Sequence, residues 1–192
     1  LATMEKQLLQ QGTRALYFTR KSGSWSEDGI KTYLMKDRIL KRHIHFPGSS
    51  AYARSTRVFN VLAGHERRPR VVVVPETVDH VVRALAFARE RKLHVAVKGG
   101  GHNIAAKSLI SDGMLIDMSN RRRVRLVRSH VSGAYVIVEA GARQRDVDAE
   151  IRESPFVVVG ATCADVGLVG LALAGGIGRM SRHRGLVAHH VR

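Results

Sequence analysis

Two glycine-bearing stretches hold the residues of this sequence best suited to chemistry. The first, AVKGGGHNIAAKS, sets Gly99, Gly100 and Gly101 between Lys98 and His102-Asn103, directly after an apolar run. Three residues without Cβ let successive backbone N–H groups approach an anion, and a phosphate is the natural guest. The same triplet also serves plain turns, so this loop by itself leaves a phosphate cradle and a structural turn equally open. The second stretch, residues 160–178, reads GATCADVGLVGLALAGGIG and carries the chain's single cysteine, Cys163. One cysteine closes no internal disulfide and offers no repeated Cys/His spacing for structural zinc, which leaves a buried thiol or a reactive one.

Two familiar phosphate loops fail against these residues. Residues 101–108, GHNIAAKS, fall one residue short of a P-loop because Ala106 stands where its second glycine belongs. A P-loop must also open a helix whose N-terminus faces the phosphates, and here Ser111-Asp112-Gly113 and a short apolar run follow within a few residues. A dinucleotide fingerprint fails as well, since Ser181 stands where the last glycine of a GxGxxG beginning at Gly176-Ile177-Gly178 should be.

The elements that must position these loops are legible upstream and between them. Residues 70–74 form a β-branched run ended by Pro75, the pattern of a buried strand. Thr77 then fits an N-cap, and Val78, Val81, Val82, Leu85 and Ala88 recur as one apolar helical face expected to pack on a sheet. Residues 93–97 read as the strand that feeds the first glycine loop, so strand, helix, strand and loop make an α/β beginning. Met114 to Asp117, residues 124–127 and residues 135–139 read as a meander punctuated by Asn120 and Ser132-Gly133. Residues 144–153 read as a helix stopped by Pro155, with Val147 and Ile151 four apart, and residues 156–159 as a further strand ending at Gly160. Residues 1–45 show a loop signal at Lys21-Ser22-Gly23-Ser24 but no sustained period, and receive no function.

Composition bounds the partners. A chain of 192 residues with 44% apolar content can bury one sizeable core. No run of eighteen apolar residues occurs and no export signal opens the chain, so no membrane partner is expected and the cytoplasm is the default compartment, although Leu1 in place of Met leaves the natural start open. Thirty-two basic against sixteen acidic side chains give +16, a balance that favours anionic partners without choosing among them. Arg121, Arg122, Arg123, Arg125 and Arg128 could form a nucleic-acid face, but aromatic content is only 5%, and a solvated strand edge is the better reading. Asp117, Glu139, Asp146 and Asp148 show no metal-ligand spacing and read as turn, edge and helix-surface residues; no metal is expected.

Taken in order, RRPRVVVVPETVDHVVRALAFARE, VAVKGGGHN, MLIDMS, VEAGARQRDVDAEI and GATCADVGLVGLALAGGIG resemble the FAD-binding domain of the vanillyl-alcohol-oxidase superfamily, in its berberine-bridge branch. The similarity covers residues 46–186. It implies an α+β, PCMH-type FAD-binding domain over residues 46–192: a small βαβ subdomain followed by a mostly antiparallel sheet with flanking helices, truncated at its C-terminus. Lys98, Gly99, Gly100, Gly101, His102 and Asn103 would belong to the loop around the FAD pyrophosphate, with Ser108 also at the cofactor. By the same resemblance His102 matches the histidine linked to the flavin 8α-methyl, and Cys163 the cysteine that bicovalent members bond to flavin C6. Gly160, Val166, Gly167, Gly170, Gly175, Gly176 and Gly178 match the second segment lining the cofactor.

The resemblance further implies hydride transfer from a small organic substrate to flavin N5, with dioxygen as the acceptor that reoxidises it. The catalytic base is expected in the later half of such proteins, beyond Arg192, so this chain alone is expected to be incomplete for catalysis. Four positions depart from the family pattern: Ala106 and Ala174 replace glycines, and His189-His190 replaces an Asp-Asn pair. These departures and the arginine excess suggest a truncated or altered reading frame. A noncatalytic flavin- or nucleotide-binding fragment and a basic nucleic-acid-binding module are the alternative classes. Substrate and oligomeric state are not legible.

Overall fold

The structure is a computed structural model that describes residues 27–34, 37, 40–129 and 133–192. The loop signal at residues 21–24 and Ser132 of the Ser132-Gly133 turn lie outside the described residues.

The valine run becomes β2 (Val71–Val73), all three residues fully buried. Beside it lies β4 (Met114–Asp117), buried throughout, and beyond that β3 (Val95–Lys98), both parallel to their neighbours. A two-residue β1 (Ile44–His45) pairs antiparallel with β2, giving the order β1-β2-β4-β3. Burial of β2 and β4 on both faces explains why the sequence shows continuous apolar runs there rather than alternation. One face carries Val71, Val73, Met114 and Ile116 against Ala84, Phe87 and Ala88, together with Ile30 and Leu34. The other carries Val72, Leu115 and Ala96 against Tyr52 and Leu109.

The helices show where short patterns mislead. Residues 1–45 display no period, yet α1 (Glu27–Leu34) forms; among its described side chains Ile30 and Leu34 mark the buried face, too brief a signal for a window of residues. The short α2 (Ser50–Ser55) and α3 (Val61–Gly64) are capped by Ser49 and Asn60, whose side-chain oxygens accept from Tyr52 N and Ala63 N. Thr77 caps α4 (Val78–Glu90), its hydroxyl accepting from His80 N at 3.2 Å. The buried face of α4 is His80, Ala84, Phe87 and Ala88, however, while Val78 and Leu85 face solvent. The face is therefore rotated from the valine stripe: the small Ala84 allows close approach to the sheet, and Phe87 supplies the packing volume.

The expected meander is corrected. Its first member, β4, is the centre of the parallel sheet, and only β5 (Val124–Ser129) and β6 (Gly133–Val138) pair antiparallel, as an isolated hairpin. Length and composition alone could not tell a fully buried parallel strand from a hairpin strand. The helix expected over residues 144–153 is α5 (Gln144–Ile151), with Val147 and Ile151 buried as the spacing implied. Residues 156–159 are not a strand; Phe156 and Val157 are exposed, while Val159 enters a third core with Val147, Leu168 and Val187 and Val158 packs against it. Two short helices, α6 (Leu168–Leu173) and α7 (Ser181–Arg184), complete the fold. No described helix is long and apolar enough to cross a membrane.

Candidate flavin site

The first glycine loop leaves the C-terminal end of β3, at the edge of a parallel sheet where α/β folds gather ligands. Gly101 takes a left-handed φ of +73°, open to glycine and strained for other residues. The backbone N–H groups of Gly100, Gly101 and His102 meet no acceptor among the described residues. No helix opens after the loop, as expected from the failed P-loop comparison.

His102 is half-buried, its Nδ1 3.1 Å from Gly100 O, a geometry that suits the Nδ1-protonated tautomer donating to the carbonyl. Phe59 stacks on its ring at 4.9 Å between centroids and 20° between planes. The segment bearing Phe59 is zipped to the loop, with Phe59 N donating to Gly101 O at 2.9 Å and Asn60 Nδ2 to Ile104 O at 2.7 Å. Asn103 is committed to the loop itself, its Oδ1 accepting from Lys107 N at 3.0 Å. Ser108 Oγ is buried and lacks a hydrogen-bond partner among the described residues. Ala106, where the family pattern has glycine, holds φ +49°, so the backbone keeps the left-handed turn while its methyl is fully buried.

The second glycine segment is hung on α5. Gln144, 6% exposed, accepts from Ala161 N through Oε1 at 2.7 Å and donates from Nε2 to Asp148 Oδ1 at 2.8 Å. Main-chain bonds from Gln144 N to Val166 O and from Arg145 N to Ala164 O, both 2.9 Å, tie down the turn containing Cys163. The Asp165 carboxylate is held by Arg143 Nη1 at 2.9 Å and by Arg145. Cys163 is exposed, which corrects the buried-thiol option. Gly178 lies so close to Gly160 O that a Cβ would reach 1.7 Å from it, and Gly176 backs onto Val187, whereas Gly170 stands in open space on α6 and Gly175 takes φ +91°.

The two segments, 67 positions apart in sequence, meet backbone to backbone. A Cβ on Gly100 would lie 2.2 Å from Gly167 N, and one on Gly167 2.3 Å from Gly100 N. Glycine at both positions is a condition of this contact. It places Gly100 against the Asp165–Gly167 turn, beside Val166 and two residues from Cys163. Three N–H groups without an acceptor among the described residues thus lie beside a glycine crossing that admits no side chain.

Two features escaped the sequence reading. Asp117 caps the turn after β4, accepting from Ser119 N, but it is also 2% exposed, and its Oδ2 lies 3.1 Å from Lys98 Nζ. The Lys98 side chain accordingly turns inward rather than toward the loop's mouth. Asp146 is also more than helix surface, since it bonds Arg122 Nε at 2.9 Å and Arg143 N at 2.8 Å. Burial raises the Asp146 pKa, but the Arg122 hydrogen bond and Arg143 N–H outweigh it and hold the carboxyl below its usual range. Arg121 is likewise spent on Glu139 at 2.8 Å. Among the described residues, no cluster of His, Cys, Asp or Glu could hold a metal.

An α+β fold whose glycine loops cross at the ends of a parallel sheet defines a nucleotide-cofactor domain, and comparison with known proteins identifies the cofactor. Residues 69–192 match the FAD-binding-domain family, to which this chain belongs. The chain is 33% identical over 127 residues to the uncharacterized FAD-linked oxidoreductase YgaK of Bacillus subtilis, covering 66% of this chain and 28% of that protein. It is 31% identical over 163 residues to berberine bridge enzyme-like 12 of Arabidopsis thaliana, covering 82% and 30%. Its fold matches a variant of Physcomitrella patens BBE-like 1 with a TM-score of 0.69 at 29% identity, over 83% of this chain and 34% of that one. The chain thus spans under a third of the length of the Bacillus and Arabidopsis relatives.

Proposed function

We propose that this chain, through residues 46–192, is the flavin-holding portion of a flavin-dependent oxidoreductase in which FAD is bound covalently. The observation that carries the reading is the crossing of Gly100 on Gly167, which brings the His102 loop and the Cys163 turn into one cradle. When bound, FAD supplies the redox chemistry, accepting hydride from a small organic substrate, with dioxygen as the final acceptor. Gly100, Gly101 and His102 offer their N–H groups to the pyrophosphate. His102, steadied by Phe59 and Gly100 O, is the first attachment point. Cys163, exposed and therefore accessible, is the second, and must react as its thiolate. Val166, Gly160, Gly170, Gly175, Gly176 and Gly178 form the wall of the second segment.

Acid precipitation of the purified chain tests this. Wild type is expected to give a yellow pellet carrying the mass of FAD, with colour retained in His102→Ala and in Cys163→Ala and lost when both are replaced. Loss in His102→Ala alone would reduce the attachment to a single bond. A colourless wild-type pellet from flavin-loaded protein would overturn the covalent reading.

A further inference from the structure

Lys98 stands at the threshold of the loop, and its ammonium is buried between two acceptors. Its side chain is 8% exposed and that of Asp117 2%. Nζ donates to Asp117 Oδ2 and to the carbonyl of Ser55, the last residue of α2. A helix leaves its final carbonyls without internal partners, and a cation there satisfies one of them. Asp117 in turn accepts from Ser119 N at 3.1 Å through Oδ1, so both carboxylate oxygens are bonded. Strands β3 and β4 place the two residues directly opposite each other.

The geometry points to Lys98 and Asp117 as positioning residues for the flavin loop, a buried clamp that sets the loop's shape without touching the cofactor. The inference rests on the FAD-binding reading above and assigns to Lys98 a role other than phosphate contact. The clamp reaches both flanks of His102. On the strand side Lys98 precedes Gly99 directly, and a Cβ on Gly101 would lie 3.5 Å from Lys98 Cδ, so the lysine stem underlies the turn. On the ring side the clamped Ser55 carbonyl lies four residues before Phe59, whose ring stacks on His102 and whose N–H holds Gly101 O. One ammonium thereby fixes the exit of β3 and the end of α2 against the same carboxylate. His45 also faces Asp117: burial, then Arg54 and His43, lower its pKa, and the Asp117 carboxylate opposes them. With this ammonium turned inward onto Asp117 and Ser55 O, the loop is left to bind its anion through backbone N–H groups.

Four variants separate a clamp from a direct phosphate contact: Lys98→Met, Lys98→Arg, Asp117→Asn and the paired apolar Lys98→Met/Asp117→Leu. The last keeps the core filled if either single change destabilises the fold. The clamp predicts that Lys98→Met and Asp117→Asn each weaken FAD binding by about tenfold or more, and that Lys98→Arg stays within about threefold of wild type. If the ammonium binds the anion directly, Asp117→Asn frees it and leaves FAD affinity unchanged or tighter, which would overturn the inference. Amide hydrogen exchange, measured without flavin, gives an independent readout. The amides of Phe59 and Lys107, which donate to Gly101 O and Asn103 Oδ1, are expected to exchange faster in Lys98→Met and in the paired variant while β4 stays protected; unchanged exchange at both would sink the clamp. Because this second readout needs no FAD, it decides about the clamp even if the chain proves not to take up flavin.

Discussion

The two glycine segments make the same contact from opposite sides, yet they are held by different physics. The first, at Gly99 to His102, is anchored from beneath by an ion pair buried in a sheet packed on both faces. The second, at Gly160 to Gly178, is strung on one side of α5 by Gln144 and by arginines that remain half-exposed. Charges removed from water must be matched within a rigid geometry, whereas exposed pairs contribute little and tolerate adjustment. The difference makes the first loop the more firmly seated of the two segments.

The largest expected effect breaks the buried side of this comparison. Asp117→Ala leaves Lys98 buried without its counter-ion and should cost about 3–5 kcal/mol, read as a lower midpoint in denaturant unfolding. A loss below about 1 kcal/mol would place the pair in the same class as the surface bridges. Gly100→Ala comes next: the new methyl meets Gly167 N, which is backbone and cannot swing aside, so a loss of about 1–3 kcal/mol is expected together with weaker flavin retention. On the more open side, Gln144→Ala should cost about 1 kcal/mol, because Ala161 N loses its acceptor at a site that water can partly reach. If Gln144→Ala proved as damaging as Asp117→Ala, the contrast between the two anchors would fail.

The smallest effect is a pH dependence on the far side of the first core. His80 is buried under α4, its Nδ1 accepting from Glu76 N at 3.3 Å and its ring 4.2 Å from that of His43. Burial, then His43, lowers its pKa below 6.5, with Arg83 adding to the shift and Asp79 and Glu76 opposing it. The unfolded chain therefore takes up the proton first as pH falls. Stability from the neutral ring is complete above pH 6.5 and is lost as pH drops through the depressed value. Thermal midpoints followed downward from neutral pH should decline in wild type, and less in His80→Gln.

The strands β2 and β4, the capped start of α4 and the helix α5 were legible because each rests on neighbours in sequence: a β-branched run, a threonine before a helical stretch, two apolar residues four apart. The same local logic failed where burial was decided from afar. Residues 156–159 have strand composition but no partner strand, and Val78 and Leu85 of α4 stay outside the core that Ala84 and Phe87 enter because the sheet surface, not the helix, chose the face.

The site divides in the same way. Motif and order along the chain by themselves determined the family, the flavin and the candidates His102 and Cys163, because glycines and reactive side chains are recorded by type and spacing. Tertiary structure alone decided that Lys98 faces Asp117, that Gly100 rests on Gly167, and that Cys163 is exposed. These are contacts between residues distant in sequence, set by strand order and by the approach of two backbones, and no local pattern encodes which residue a side chain or glycine will meet.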